Sequence, residues 1–130
     1  MSLYYSNISD RKYNTWCKYV YRLDTYGCGC QHDCNYCYAK SLLNFRGLWN
    51  SKSPKVATLW EIKNIISKLP KNIVAKLGGM SDCFMPLEAT EQITYETIKI
   101  LNYYKIHYLI VTKNNLVADD KYLKIYDKNL

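Results

Sequence analysis

Residues 19–40 read YVYRLDTYGCGCQHDCNYCYAK, and this stretch decides the fold that the sequence predicts. It opens with β-forming residues at 19–23, which predict a strand that ends before two closely spaced glycines. Four cysteines then lie between positions 28 and 37, and the segment 38–44 is compatible with one or two helical turns. The stretch therefore predicts a strand, a cysteine-rich loop and a short helix, in the order of a βα unit.

The rest of the chain continues this alternation of strands and helices. Thr58 and Glu61 form a capping-box pattern, and apolar residues at helical spacing follow until Pro70 ends the predicted helix. The remaining predicted elements are strands at 72–77 and 108–111 and helices at 88–104 and 119–126. The order β-α-β-α-β-α predicts an α/β domain with a parallel sheet, whose ligand sites lie at the carboxyl ends of the strands.

The composition excludes several classes of protein. The 130 residues are 48% hydrophobic and 22% charged, which is typical of one ordinary globular domain. No apolar run has the length of a membrane helix, and residues 1–10 lack the apolar core of a signal peptide. We therefore expect a cytoplasmic chain with no membrane partner. The net charge of +7 permits a polyanionic partner, although the basic residues are spread along the chain.

The cysteines indicate a metal site. Four of the six lie between positions 28 and 37, whereas the other two stand apart. A disulfide framework would distribute its cysteines along the chain, so this concentration predicts metal binding in a reducing compartment. Cys30, Cys34 and Cys37 have the spacing C-x3-C-x2-C. Three thiolates on such a loop can ligate three irons of a [4Fe–4S] cluster and leave the fourth iron open.

Cys28 leaves two alternatives open. Together with Cys30, Cys34 and Cys37 it makes a set of four thiols, which would suit structural zinc in a non-catalytic module. The same four thiols would also suit an electron-transfer cluster without an open iron. Cys17 stands far from this group, and we expect it to pack as a small buried hydrophobe.

The cysteine loop resembles the cluster loop of radical S-adenosylmethionine (SAM) enzymes. At residues 27–40 the C-x3-C-x2-C spacing is combined with an aromatic residue, Tyr36, directly before the third cysteine. The surrounding residues are most similar to the branch that contains spore photoproduct lyase. The stretch GGMSDCFMPLE at 78–88 and the stretch VTK at 111–113 resemble the strand-two and strand-three ends of that branch. The resemblance covers residues 19–115.

The resemblance implies an activity and its cofactors. A [4Fe–4S] cluster on the three cysteines would cleave SAM reductively to methionine and a 5′-deoxyadenosyl radical, which abstracts hydrogen from the substrate. Cys83 is then either a hydrogen donor near the site, as a thiol is in the lyase, or a structural residue. The residues that the resemblance places at SAM are Tyr36, Gly78, Gly79, Ser81, Asp82 and Lys113.

The resemblance also implies partners. A reductively cleaved cofactor needs an external electron donor, such as a flavodoxin or a ferredoxin. The lyase branch acts on nucleic acid, and the net charge of +7 is compatible with such a substrate.

The chain is too short to form a complete (β/α) barrel. A complete eight-unit barrel needs about 250 residues, or about 31 for each βα unit. After residues 1–18, which we interpret as a leader, the chain has room for about three units. We therefore expect a partial (β/α) barrel, the amino-terminal half of a radical SAM barrel, as a single truncated domain over residues 1–130. Its third strand would expose an unpaired edge beside an uncovered apolar face, through which the chain self-associates or binds a complementing chain.

The three-cysteine interpretation predicts a specific metal content. Anaerobic reconstitution should incorporate about four irons and four sulfides per chain. Replacement of Cys30, Cys34 or Cys37 by Ala should abolish the cluster, whereas Cys28→Ala should leave it in place. Iron, sulfide and zinc analysis of each variant measures this. Loss of metal on Cys28→Ala would contradict the three-ligand interpretation. Binding of zinc without iron would favour the non-catalytic module with structural zinc.

Overall fold

A computed structural model describes residues 4–7 and 21–130. The predicted packing of Cys17, and all of the predicted leader except residues 4–7, lie outside the described residues. The strands are β1 (Tyr4–Asn7), β2 (Tyr21–Asp24), β3 (Tyr26–Gly27), β4 (Lys55–Val56), β5 (Val74–Leu77) and β6 (His107–Ile110). The helices are α1 (Tyr38–Phe45), α2 (Leu59–Ser67), α3 (Glu88–Glu91), α4 (Ile93–Tyr103) and α5 (Asp120–Leu123), with a 3-10 helix at Asn115–Ala118 before α5.

The main sheet contains three parallel strands, as the alternation of elements predicts. Its strand order is β1-β2-β5-β6, and β2, β5 and β6 run parallel to one another. β1 pairs antiparallel with β2, and the sequence did not predict this edge strand within the segment interpreted as a leader. β3 and β4 form a separate two-stranded sheet beside the cysteine loop. The described strands make an open sheet rather than a closed barrel.

One face of the sheet carries the hydrophobic core. Leu23, Ala75 and Leu77 point to this face, and each is fully buried. Helices α2 and α4 pack against it with the buried side chains Ile62, Ile66, Ile98 and Leu101. The capping box that predicted the start of α2 is confirmed, since the Thr58 side chain accepts a hydrogen bond from the Glu61 N–H at 3.4 Å.

The opposite face of β2 and β5 is charged. Arg22 and Lys76 are register partners on these neighbouring strands, one residue before the buried partners Leu23 and Leu77. Because side chains alternate along a strand, Arg22 and Lys76 both lie on the face turned away from the core. The expected apolar face concerns the third strand, where the register partner of Lys76 is Leu109, and it stays a prediction.

The carboxyl-terminal residues cover part of the outer edge of β6. The Tyr108 N–H donates to the carbonyl oxygen of Leu130 at 3.3 Å. The Tyr108 hydroxyl accepts from the Asp127 N–H at 3.1 Å, which holds this segment against the strand. The edge that we expected to be open is thus partly occupied by the chain itself, which protects it from pairing with another strand.

A buried carboxylate explains why the helix predicted over 88–104 is divided. Gln92 has a left-handed backbone, with φ of +55°, and it separates α3 from α4. The Glu88 carboxylate accepts the N–H groups of Thr94 and Tyr95 at 2.9 and 2.8 Å. These N–H groups lie in the first turn of α4, where no helical partner exists, so Glu88 caps this helix from one turn upstream.

The same carboxylate accepts two tyrosine hydroxyls. Tyr122 of α5 donates to it at 2.7 Å, and Tyr26 of β3 donates to its other oxygen. Burial and the neighbouring Glu88 together raise the pKa values of Tyr26 and Tyr122 far above the ordinary range. Both hydroxyls are therefore neutral donors at physiological pH.

The helices of the described chain are short. The longest, α4, has 11 residues, whereas a bilayer span needs about 20. We find no helix in residues 21–130 that is long and apolar enough to cross a membrane.

Glu88→Ala should destabilise the protein strongly. The change leaves three buried donors and the partly buried N–H of Tyr95 without their acceptor, which should lower the free energy of unfolding by on the order of 3 kcal/mol or more. Glu91→Ala is the matched control, because Glu91 lies exposed on the same short helix and its loss should change stability by less than about 0.5 kcal/mol. Urea unfolding measures both variants. Equal stability of the two would contradict the role assigned to Glu88.

Candidate metal centre

Three strand ends meet at one edge of the sheet, as the parallel topology requires. The cysteine loop, the loop after β5 and the residues after β6 all lie there, and side chains connect them. Lys113, three residues beyond the end of β6, donates from Nζ to Cys34 Sγ at 2.9 Å. The same ammonium lies 5.7 Å from the centre of the Tyr36 ring. The predicted cluster loop and the predicted SAM lysine are therefore in contact.

The contact with Lys113 alters the chemistry of Cys34. The ammonium hydrogen bond holds the pKa of the Cys34 thiol below its usual value, and it raises the pKa of Lys113 in return. A thiolate is the form of cysteine that binds metal, and a neighbouring cation favours it. Both groups are solvated, so the pair contributes to ligand chemistry rather than to stability.

The other two predicted ligands have different surroundings. Cys30 is largely buried, and this burial raises the pKa of its thiol, although the N–H groups of His32 and Asp82 counteract the effect. Cys37 is the N-cap of α1, where its Sγ accepts from the Lys40 N–H at 3.4 Å. The third cysteine thus ends the loop and starts the helix.

The donor set fits an iron–sulfur cluster in its chemistry, but its thiols do not converge on one point. Cys28, Cys30, Cys34, Cys37 and Cys83 are all free thiols. Within residues 21–130, no three His, Cys, Asp or Glu side chains already surround a common metal position. Ligation would therefore require the three cysteines of the loop to turn towards one point. Soft thiolates on one short loop are the ligands that such clusters take.

Cys28 lies in another environment. It lines a cleft of about 500 Å³ whose other walls come from residues 47–55, and its carbonyl accepts the Asn50 N–H at 2.8 Å. Cys30 and Cys34, by contrast, contact residues of the strand ends. This difference favours the prediction that Cys28 is not a ligand.

Asp24 organises the loop after β5, and the sequence analysis missed it. Its carboxylate is almost fully buried and accepts the N–H groups of Gly79 and Met80 at 2.7 and 3.4 Å. Burial raises the pKa of Asp24 to about 6, against these two hydrogen bonds and the charges of Arg22 and Lys76, which lower it. Its position at the carboxyl end of a predicted strand was the signal available in the sequence.

The chain itself requires the first of the two glycines in this loop and packs tightly around the second. Gly78 has φ of +88°, and a Cβ there would lie 2.4 Å from the carbonyl oxygen of Val111. A Cβ on Gly79 would lie 2.0 Å from Cδ of Arg22. Since the N–H of Gly79 is bound by Asp24 and its carbonyl by the Tyr38 hydroxyl at 2.9 Å, the Gly79 backbone has its own partners. The backbone geometry accounts for Gly78 without a cofactor, whereas at Gly79 the neighbour is the flexible Arg22 side chain.

Of the remaining predicted site residues, Ser81 and Cys83 are buried and Tyr36 is exposed. Ser81 is buried and donates its hydroxyl to the Tyr26 carbonyl. Cys83 is 1% exposed within the core, and burial raises the pKa of its thiol well above the usual value. These surroundings favour the structural interpretation of Cys83. Tyr36 is 83% exposed, so its ring is available to a ligand.

The Asp82 carboxylate already accepts hydrogen bonds from other groups of the chain. Its Oδ1 accepts the Phe84 N–H at 2.8 Å and the Thr112 hydroxyl at 2.6 Å. Its Oδ2 accepts the Lys113 N–H at 3.0 Å and lies 3.1 Å from Nε2 of His32. The carboxylate therefore joins the ends of β5 and β6 to the cysteine loop, and its surroundings do not favour the predicted contact with SAM.

The raised pKa of Asp24 predicts a pH-dependent stability. The folded pKa of about 6 exceeds the ordinary value of 3.8, so between these values the folded chain retains a proton that the unfolded chain releases. Wild type should therefore lose about 3 kcal/mol relative to Asp24→Asn as the pH rises from about 3 to about 7. Urea unfolding of both proteins across this range measures the difference, and parallel stability curves would contradict the assignment.

Comparisons with known proteins identified no relative of this chain. A scan against family models, a search of curated proteins and a search of solved structures found no match to the chain. A functional assignment therefore depends on the cysteine loop, its contacts at the strand ends and the resemblance of these residues to radical SAM enzymes.

Proposed function

We propose that this chain is a radical SAM iron–sulfur protein in which Cys30, Cys34 and Cys37 hold a [4Fe–4S] cluster. The observation that carries the proposal is the 2.9 Å contact between Lys113 Nζ and Cys34 Sγ. It joins a C-x3-C-x2-C loop to the third strand end of a parallel sheet, where ligand sites of α/β folds lie. When bound and reduced, such a cluster supplies the electron that cleaves the sulfonium of SAM.

Lys113 has the charge and the freedom to bind the carboxylate of SAM. Its ammonium bonds to Cys34, and it would become available to another anion if that thiolate held iron. A charge-assisted hydrogen bond to a carboxylate is stronger than one between neutral groups. Tyr36, next to Lys113 and largely exposed, supplies an aromatic face for the adenine.

Ser81 is suited to the amino group of SAM. Its hydroxyl proton is already donated to the Tyr26 carbonyl, so the oxygen is left as an acceptor. An ammonium group has donors and no acceptor, which matches this polarity. Asp24 fixes the neighbouring backbone through the N–H groups of Gly79 and Met80, so the loop does not have to be ordered when SAM binds.

The proposal includes partners. An electron-donor protein of the flavodoxin or ferredoxin class reduces the cluster, and nucleic acid is the substrate class. Two aromatic side chains of α1, Tyr38 and Phe45, are mostly exposed beside the cysteine loop, and the net charge is +7. Exposed aromatic rings on a positive surface are suited to stacking on unpaired bases. A second copy, or a complementing chain, adds the walls that half a barrel lacks.

SAM cleavage tests the activity directly. The reconstituted protein, reduced with dithionite under anaerobic conditions, should convert SAM to 5′-deoxyadenosine and methionine, measured by liquid chromatography. Cys34→Ala should show none. Lys113→Ala should keep its iron but raise the KM for SAM by about tenfold, because one ion pair is lost.

A matched control separates this effect from a general loss of positive charge. Lys99 is an exposed lysine on α4 whose ammonium lies 3.6 Å from Glu96, and Lys99→Ala should leave the KM unchanged. Equal KM values for the two variants would remove Lys113 from the site. A protein that takes up zinc and no iron, or holds the cluster without cleaving SAM, would contradict the proposed function.

Oligonucleotide binding tests the substrate class. Single-stranded DNA should bind with an affinity that falls steeply with salt, and Phe45→Ala should weaken binding about tenfold because stacking on one base is lost. Leu123→Ala, which alters an exposed apolar residue on α5, is the control. An absence of binding at low salt would exclude nucleic acid as the substrate class.

A further inference from the structure

Asp82 is held rigidly between two strand ends. Its carboxylate accepts three hydrogen bonds, from the Phe84 N–H, the Thr112 hydroxyl and the Lys113 N–H, and its side chain is 8% exposed. These partners join the loop after β5 to the residues after β6. Asp82 is therefore a fixed point in the structure, against which a more exposed segment can be positioned.

The cysteine loop contacts this fixed point twice. His32 places Nε2 at 3.1 Å from Asp82 Oδ2, and the Cys30 thiol lies close enough to the backbone N–H of Asp82 for this group to lower its pKa against the effect of burial. The Nε2 atom is buried and makes no aligned hydrogen bond within residues 21–130. Its contact with the carboxylate that faces it is thus a close polar contact rather than an aligned hydrogen bond.

We propose that Asp82 is a positioning residue, which acts with His32 as a latch that holds Cys30 and its loop against the strand ends. The latch explains why Cys30 is 8% exposed while its neighbour Cys34 reaches the surface lysine Lys113. It assigns to Asp82 a role that differs from the predicted contact with SAM. The latch is made by contacts within the chain and does not require the proposed function.

Alkylation of the metal-free chain tests the latch. The full-length reduced protein is treated with iodoacetamide at fixed pH, and the labelling rate of each cysteine is followed by mass spectrometry. His32→Ala and Asp82→Asn should each raise the rate at Cys30 by about five- to tenfold, because one polar contact no longer opposes local opening. The rate at Cys28, which lies outside the latch, should not change.

Asp33→Asn is the matched control. Asp33 belongs to the same loop, but it pairs with Lys40 at 2.9 Å, and Asn tolerates its left-handed φ of +47°. This variant removes one charge and one ion pair of the loop without touching Asp82. Labelling of Cys30 should then remain at the wild-type rate.

The double variant distinguishes a latch from two unrelated effects. If His32 and Asp82 act through one contact, the combined variant should label Cys30 no faster than the faster single variant, within about twofold. The proposal is overturned if His32→Ala leaves the Cys30 rate unchanged, if Asp33→Asn raises it equally, or if the two single effects multiply. Because labelling uses the chain without cofactor, the latch and SAM cleavage can each fail while the other holds.

Discussion

Four hydrogen bonds converge on the buried carboxylate of Glu88, and they come from three parts of the chain. Tyr26 stands at the entry of the cysteine loop, Thr94 and Tyr95 begin α4, and Tyr122 belongs to α5. A carboxylate without these donors would be very costly to bury. The three segments must therefore assemble together around it, and the position of the cysteine loop relative to the helices depends on this interaction.

Two further carboxylates extend the same principle to the candidate site. Asp24 binds the backbone of the loop after β5, and Asp82 binds the residues after β6 and faces the cysteine loop. Each acid accepts hydrogen bonds from groups that come from a different strand end. The rim of the sheet is thus held by the chain's own polar contacts, and the side chains of Lys113 and Tyr36 are exposed beside the cysteine loop. Such a preorganised surrounding is what a cofactor site requires.

Much of the fold follows from local patterns. Apolar periodicity and the capping box at Thr58 predict α2, and the alternation of elements predicts the three parallel strands. The patterns miss the division between α3 and α4 at Gln92, because the group that caps α4 is the side chain of Glu88 and not a residue at the helix start. They also miss β1, since an edge strand of four residues has too short a signal.

The sequence by itself determined where a metal site is predicted, because Cys30, Cys34 and Cys37 are contained in one short loop and their spacing can be read directly. It also determined that the loop follows the end of a strand. The tertiary structure alone decided which groups those residues meet. Asp24 and Gly79 are 55 positions apart, and Lys113 and Cys34 are 79 apart. Contacts between residues so far apart in the sequence depend on the register of the parallel strands and on the pairing of buried polar groups. Neither produces a periodic pattern in the sequence.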